Sequence, residues 1–557
     1  MRTSNTDKRK SRSNERTRKE LTMSATRTLG TTKTVSVNRR WWVLAVMSLS
    51  TLMVFIDNTV VNTAIPVLST DLQASISELQ WVINGFTLVL AGLLLVGGSL
   101  GDRYGRRRWM ITGLVVFGIG AVGAALSGDV TTLIVSRGVQ GIGAALVLPA
   151  TLSIITAVFP RGERAKAIGI WSGVGALGIG IGPALGGYLV VELGWASVFW
   201  MHLPVIGIIL AGMLIVPESR DERRRRIDVP GAIVGSLGLG ALVFGLIRGG
   251  EVGWSAGSTV LAFGAAIALL GAFAIVELRV KDPMLPLKFF KQKDFTGATI
   301  VIGLIMFGFM VSLFFLTQFF QLVQGRSAFE AGLLLIPTAV VMMIAAPISG
   351  TLVKRIGPRA LVFASAVAMV TGLLLLTEIE VTSSTFSVVG PLMLFGLGGG
   401  LGLPPLTDTV MAAVPVRDAG VGSAVNDMSR ELGVVLGVAT IGSVVNMMYR
   451  SNFRDLTSGV LPEQAVEAAS EGIGIAVVVA QSLPPEAGIA LVDSAKQAFV
   501  DAITGGFYLG AVFVGLAAVV AVTLIPRRMR TAQIDDEPER VPALRDGLVE
   551  APVRAAA

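Results

Sequence analysis

The sequence predicts an all-α polytopic membrane protein of fourteen transmembrane helices, arranged as two pseudo-symmetric six-helix bundles with two helices inserted between them. Three observations carry that prediction. Apolar runs of about 20 residues, the length that spans a bilayer, recur along the whole chain. Of its 557 residues, 52% are hydrophobic and only 15% charged, with a mean hydropathy of +0.71, which no soluble domain approaches. A connector motif also appears twice at identical internal spacing, Gly98-x-Leu100-x-x-Arg103-x-Gly105-x-Arg107 and Gly350-x-Leu352-x-x-Arg355-x-Gly357-x-Arg359. Each copy follows an even-numbered span, a placement that argues for two related halves.

The chain opens on forty residues with twelve Lys or Arg against three acids and no apolar periodicity, read as a disordered basic cytoplasmic tail (1–40). Its Arg- and Ser-rich character resembles a transit peptide, but the span that follows is too long for a signal core. Met23 is an alternative start. Spans are expected at 41–66, 79–100, 109–127, 130–156, 165–190, 197–217, 229–248, 257–277, 295–320, 331–352, 359–378, 385–410, 420–447 and 503–526. These divide the chain into an N-terminal bundle (41–217), an insertion with linkers (218–294), a C-terminal bundle (295–526) and a tail (527–557). Lys and Arg crowd every second connector, among them Arg106 to Arg108, Arg223 to Arg226 and Arg527, Arg528 and Arg530. The positive-inside rule then puts both termini in the cytoplasm, which needs an even number of spans. Residues 448–502, with seven acids against three bases, are expected outside as an amphipathic or hairpin-like lid, a re-entrant segment being the alternative. The net charge of +8 lies in these short connectors, so it marks topology and not a nucleic-acid surface.

The first span holds Asp57 about nine residues, roughly 13 Å, from its outer end, too deep for a short side chain to snorkel. An ionisable group at such depth costs ~2.5–3.5 kcal/mol on insertion scales and is by default a functional candidate. Thr59 and Asn62 supply hydrogen-bonding groups nearby. The connector after span two, Gly98-Ser-Leu-Gly-Asp102-Arg103-Tyr-Gly105-Arg106-Arg-Arg108, has glycines for a tight turn and an acid able to meet helix ends and arginines. Span four carries Arg137 about seven residues, roughly 10 Å, from the outer end. Opposite charges at matched depth should pair, as either alone would be uncompensated. A permanent pair that only fixes packing is the alternative. In span five, Gly178, Gly182 and Gly186, four apart, form a flat face for close helix contact. Pro183 removes a backbone hydrogen bond, and Gly187 follows.

Gln318 and Gln321 in span nine are candidates for a substrate cavity or for helix–helix hydrogen bonds. Span thirteen carries Asp427, Arg430 and Glu431, with the two acids on one face and Arg430 within reach of Asp427. That group is either functional or a self-neutralised cluster near the inner interface. Absence of cysteine excludes disulfides and thiol catalysis, and no Gly-x-x-x-x-Gly-Lys-Ser/Thr loop, catalytic triad, metal cluster or dinucleotide loop occurs.

Taken together, the connector after span two, the Arg137 stretch, the glycine face of span five and the first-span run Asp57-x-Thr59-Val60-Val61-Asn62-x-Ala64-x-Pro66 resemble the major facilitator superfamily, and within it the fourteen-span drug:proton antiporters. The resemblance covers about residues 41–526. It implies a non-enzymatic secondary exporter of amphiphilic, mainly cationic compounds, with an antibiotic-specific exporter as an alternative and a membrane sensor or channel as another class. It implies proton coupling through Asp57 and Arg137, with Asp427, Arg430, Glu431, Asn62 and Gln318 as further coupling or substrate groups. A latch formed by Gly98, Asp102, Arg103, Gly105 and Arg106 follows from it, and so does export as the direction of transport, from the motif of Gly178, Gly182, Pro183, Gly186 and Gly187. No cofactor or metal is expected beyond the proton motive force. The setting is a monomer in the bilayer of a bacterial inner membrane. Two departures stand out. Asn84 occupies a place where some cation exporters have an acid, and His202, the only histidine, replaces the usual asparagine at the start of span six. His202 is read as a solvated residue of the outer face, or alternatively as a pH sensor there.

Overall fold

The computed structural model describes residues 37–74, 76–220, 228–457 and 462–527. The two tails expected at 1–40 and 527–557, but for residues 37–40 and Arg527, and the Arg223 to Arg226 run lie outside the described residues. Those described form helices and turns only. They are α1 (Val37–Asp71), α2 (Ile76–Tyr104), α3 (Arg106–Ala125), α4 (Val130–Val158), α5 (Arg161–Leu193), α6 (Ser197–Trp200) and α7 (His202–Gly212) in the first bundle. The insertion is α8 (Val229–Val252) and α9 (Gly257–Arg279). The second bundle is α10 (Lys293–Gln318), α11 (Ala328–Ile356), α12 (Pro358–Leu376), α13 (Thr385–Ala412), α14 (Ala419–Thr457), the short α15 (Glu463–Ala469) and α16 (Ile473–Ala480), and α17 (Pro485–Leu524).

Thirteen of these stretches are long and apolar enough to cross a membrane, and the stretch Ser197–Gly212, where the sixth span is expected, is apolar but shorter. That span is interrupted for a local reason. Pro204 has no N–H to return to the carbonyl of Trp200, so the α-helix parts between Trp200 and His202. Beyond Gly212 it tightens, with Leu214, Ile215 and Val216 each donating to the carbonyl three residues earlier. Two helix starts carry side-chain caps: Asp129 accepts from Thr132 N at 2.8 Å, and Ser327 forms a reciprocal capping box with Glu330.

The connector between α14 and α17 is shorter than the 448–502 expected. α14 continues to Thr457 and α17 begins at Pro485, so helical extensions replace about half of it. The buried core takes in Tyr449 and Phe453 of α14, Ala465 and Ala469 of α15, Ile473 and Ala476 of α16, and Leu491 of α17. Tyr449 Oη donates to the Ala469 carbonyl at 3.1 Å.

Within the first bundle α1 packs on α5, and α4 packs on both α2 and α3; in the second, α10, α14 and α17 form one group, joined through α12 and α13 to α11. The α8–α9 hairpin leans on α2 and α14. Across the bundles, α5 lies along α11 and α2 against α14. The repeated connector motif explains why both crossings are so close. Gly98 and Gly350 occupy the same motif position. A Cβ on Gly98 would strike the Gly420 carbonyl at the start of α14, and one on Gly350 would strike the Ala165 carbonyl near the start of α5. Gly105 and Gly357, again equivalent, both turn with positive φ, at 116° and 82°. Each half therefore seats its motif glycine on the fifth helix of the other.

Candidate functional site

The first bundle buries a charge cluster assembled from four helices. Asp57 of α1 and Arg137 of α4 are 0% and 1% exposed, and Arg137 Nη1 donates to Asp57 Oδ2 at 2.8 Å. The same Nη1 donates to Gln140 Oε1 at 2.8 Å, and Gln140 Nε2 donates to Asp57 Oδ1 at 3.3 Å, closing a triangle. Arg137 Nε donates to the Val82 carbonyl of α2 at 3.2 Å, and the guanidinium lies 4.4 Å from the Phe86 ring centroid. Nε, Nη1 and the ring contact are thus all engaged, which a bare ammonium could not reproduce.

His202 completes this cluster, and here the expectation of a solvated outer residue is overturned. The imidazole is 0% exposed, with Nε2 3.5 Å from Asp57 Oδ1 and Nδ1 3.1 Å from the Phe199 carbonyl. Its ring stands edge-on to Phe117 of α3, centroids 5.4 Å apart. The available signal was position: His202 lies five residues inside an apolar span, about 7.5 Å below its start. What sequence could not supply was the rotation of α7 toward α1.

The glycines of span five divide between two neighbours. Cβ atoms on Gly178, Gly182 and Gly186 would meet Leu52, Thr59 and Thr63 of α1, so this face abuts the turns that carry Asp57. Thr59 Oγ1 donates to the Gly178 carbonyl at 3.5 Å. Gly187, with Gly173 and Gly180, faces α11 instead, and Pro183 lies where Gly332 of α11 approaches. Asn62 is exposed and takes no part in the Asp57 triangle, while Gln318 is half-buried at the end of α10, before the π-helical turn Phe319–Val323.

A second charged group lies where α14 meets the first bundle. Asp427 is buried, and Asn426 Nδ2 donates to its Oδ1 at 3.1 Å while Oδ2 has no hydrogen-bond partner. Arg430 does not close on Asp427. Its Nη2 donates to Thr407 Oγ1 at 3.4 Å, and its guanidinium lies 5.5 Å from the ring centroid of Trp171 in α5. Trp171 in turn donates to Thr51 Oγ1 of α1 at 2.7 Å. A cation of one bundle therefore rests on an aromatic ring of the other, one turn from Asp427 and beside Glu431.

At the arginine-rich end, Asp102 ties α2 to α14. Its Oδ1 accepts from Arg106 Nε at 2.9 Å, from Arg106 Nη2 at 2.6 Å and from Gly420 N at 2.9 Å, and its Oδ2 accepts from Val421 N at 3.1 Å. A carboxylate at a helix N-terminus meets both unpaired N–H groups and the positive end of the dipole. Arg106 reaches on to the Val416 carbonyl at 2.6 Å, and Arg103 to the Asp282 carbonyl at 3.3 Å. The positive φ of Gly105 lets Glu218 cap α3 through Arg107 N and Arg108 N. Near the other end, Asn84 Nδ2 donates to Glu251 Oε1 of the inserted α8 at 3.1 Å, and Arg248 pairs with the same carboxylate at 3.2 Å.

The Major Facilitator Superfamily model matches residues 47–438. The multidrug efflux pump LfrA of Mycolicibacterium smegmatis is 34% identical over 502 residues, covering 90% of this chain and 99% of that protein. The tetracenomycin C resistance and export protein of Streptomyces glaucescens is 32% identical, covering 90% and 94%. The methyl viologen resistance protein SmvA of Salmonella typhimurium is 32% identical, covering 83% and 93%. Among solved structures, the proton:xylose symporter XylE superposes with a TM-score of 0.56 at 17% identity, covering 88% of this chain and 96% of that one.

Proposed function

The chain belongs to the Major Facilitator Superfamily, a family of transporters and not of enzymes, and from that membership we propose that it exports amphiphilic, mainly cationic compounds across a bacterial inner membrane in exchange for protons. A multidrug efflux pump and a methyl viologen resistance protein among the relatives support export of cations. The observation that carries the coupling is the buried Asp57–Arg137 pair with its Gln140 bridge. A proton from outside neutralises Asp57. Arg137 then stays charged in an apolar interior, with only Gln140, the Val82 carbonyl and the Phe86 face as partners. An unpaired buried charge is strongly unfavourable, so protonation drives the bundles toward the state open to the cytoplasm, where the proton leaves.

Asp427 and Glu431, next to the Arg430–Trp171 contact, provide the anionic and aromatic surface an amphiphilic cation needs, and Asn62 and Gln318 line its path. Asp102, Arg103 and Arg106, with Gly98 and Gly105, hold the arginine-rich end shut until the bundles rock. The tails at 1–40 and 527–557 lie in the cytoplasm, and the working unit is a monomer of two bundles (41–217 and 295–526) around the inserted pair within 218–294. The tetracenomycin C export protein favours a second reading, an exporter dedicated to one natural product.

The test is transport in proteoliposomes. Ethidium should collapse an imposed proton gradient, and Asp57→Asn should abolish that exchange without loss of expression. Drug efflux that persists after the gradient is dissipated would refute coupling, and a substrate panel on the same vesicles separates a broad exporter from a dedicated one.

A further inference from the structure

His202 is a buried titratable group aimed at the coupling carboxylate, and its two ring nitrogens are not equivalent. Nδ1 sits 3.1 Å from the Phe199 carbonyl, which can only accept, so Nδ1 carries the hydrogen. In the neutral imidazole Nε2 is then a bare lone pair. It faces Asp57 Oδ1 at 3.5 Å and makes no hydrogen bond to any partner. Two acceptors face one another across that gap, in a site closed to water, where an unsatisfied polar atom is unfavourable. One proton placed between them satisfies both.

We infer that the proton bound by this site is held between Asp57 Oδ1 and His202 Nε2, with the imidazole as a second proton acceptor beside the carboxylate. This rests on the proton-coupled reading above and assigns the proton's seat within it. Among the described residues, Asp57 is the one carboxylate in contact with the ring. On α1 Asp57 is the one charged group near the ring, since Arg39, Arg40 and Asp71 lie toward the helix ends. Arg137 is the only charged residue of α4, and Gln140 is neutral. α3 presents Phe117, its charges being confined to Arg106 to Arg108 at the other end. α2 offers the Val82 carbonyl and the Phe86 ring, with Glu78 one turn before Val82 and Asp102 and Arg103 at its far end, and α6 carries no charge.

The geometry also assigns work to each carboxylate oxygen. Oδ2 holds Arg137, while Oδ1 faces Gln140 and His202. A proton arriving at Oδ1 can pass to Nε2 without first breaking the 2.8 Å contact of Oδ2 with the guanidinium, so capture and release of Arg137 become separable steps. A glutamine amide at position 202, whose Nε2 takes the place of the imidazole Nε2, would donate to Oδ1 but could not take up the proton.

His202 is the chain's only histidine, so the full-length protein, labelled with 15N-histidine and purified without a histidine tag, yields one imidazole. The expected spectrum at high pH is the Nδ1–H tautomer, with Nε2 gaining a proton as the pH falls. The midpoint should drop by at least one pH unit, tenfold in proton concentration, in Asp57→Asn, because the neighbouring anion is gone. In vesicles His202→Gln should lower the midpoint of the pH profile of drug–proton exchange by at least one unit. An Nε2–H tautomer at all pH values, a midpoint indifferent to Asp57→Asn, or a His202→Gln profile superimposed on the wild type would each overturn the assignment. If wild-type efflux ignores the proton gradient, the coupled reading fails instead, and the imidazole titration still reports whether Asp57 and His202 share a proton.

Discussion

Asp102→Asn is the sharpest perturbation of the conformational cycle proposed above. The carboxylate accepts two hydrogen bonds from Arg106 and two that cross between bundles, from Gly420 N and Val421 N at the start of α14. An asparagine keeps one acceptor oxygen, so at least one crossing bond is lost, together with the charge. A hydrogen bond to a charged group contributes about 1.5–3 kcal/mol. At about 1.4 kcal/mol per factor of ten, the population closed at the arginine-rich end should fall about 10- to 150-fold relative to the open one. The chain has no cysteine, so Tyr104→Cys and Val416→Cys, 45% and 44% exposed, can carry spin labels without background. Electron–electron resonance should give one short distance in the wild type and a longer population in Asp102→Asn. An unchanged distribution would refute the latch, since Gly98–Gly420 packing and the Arg106–Val416 bond would then hold the two helices without the carboxylate.

Arg137→Ala should strand Asp57 in an apolar interior, destabilising the protein by about 3–5 kcal/mol and shifting the pH dependence of transport; Arg137→Lys should fail to restore coupling. Thermal melting and drug-driven proton flux measure both, and a normal flux in the lysine variant would remove the guanidinium geometry from the mechanism. Gly182→Ala drives a Cβ into Thr59 Oγ1 and should destabilise by ~1–3 kcal/mol, with partial rescue by Thr59→Ala; Gly186→Ala, which also meets the Val60 backbone carbonyl, should resist rescue by Thr63→Ala. Equal melting temperatures in the single and double variants would show that α1 and α5 do not meet at this face. Glu251→Ala releases the inserted α8 from Asn84, so the melting temperature should fall while proton-coupled export persists. Loss of coupling at an unchanged melting temperature would place the insertion within the transport cycle.

Much of this was legible in the amino-acid order because it is local. Bilayer thickness translates into runs of about 20 apolar residues, so span number follows from counting, and the one ambiguous span, Ser197–Gly212, is short because Pro204 interrupts it. Depth along a helix is likewise local, at 1.5 Å per residue, which is why Asp57 and Arg137 were natural partners before any contact was visible. The glycine spacing of α5 announced a close-packed face, though not that α1 lies on one side of it and α11 on the other. Rotation about a helix axis is not local. Whether His202 points to water or to Asp57, whether Arg430 closes on Asp427 or rests on Trp171, and whether Asn84 finds its acid on the inserted helix all depend on how distant helices pack. In an apolar solvent the hydrophobic pattern around a helix carries little orientational information, because lipid-facing and protein-facing surfaces are both apolar. The sequence by itself therefore determined the spans, the depths of their charges and the repeated connector, and tertiary packing alone decided which of those charges meet.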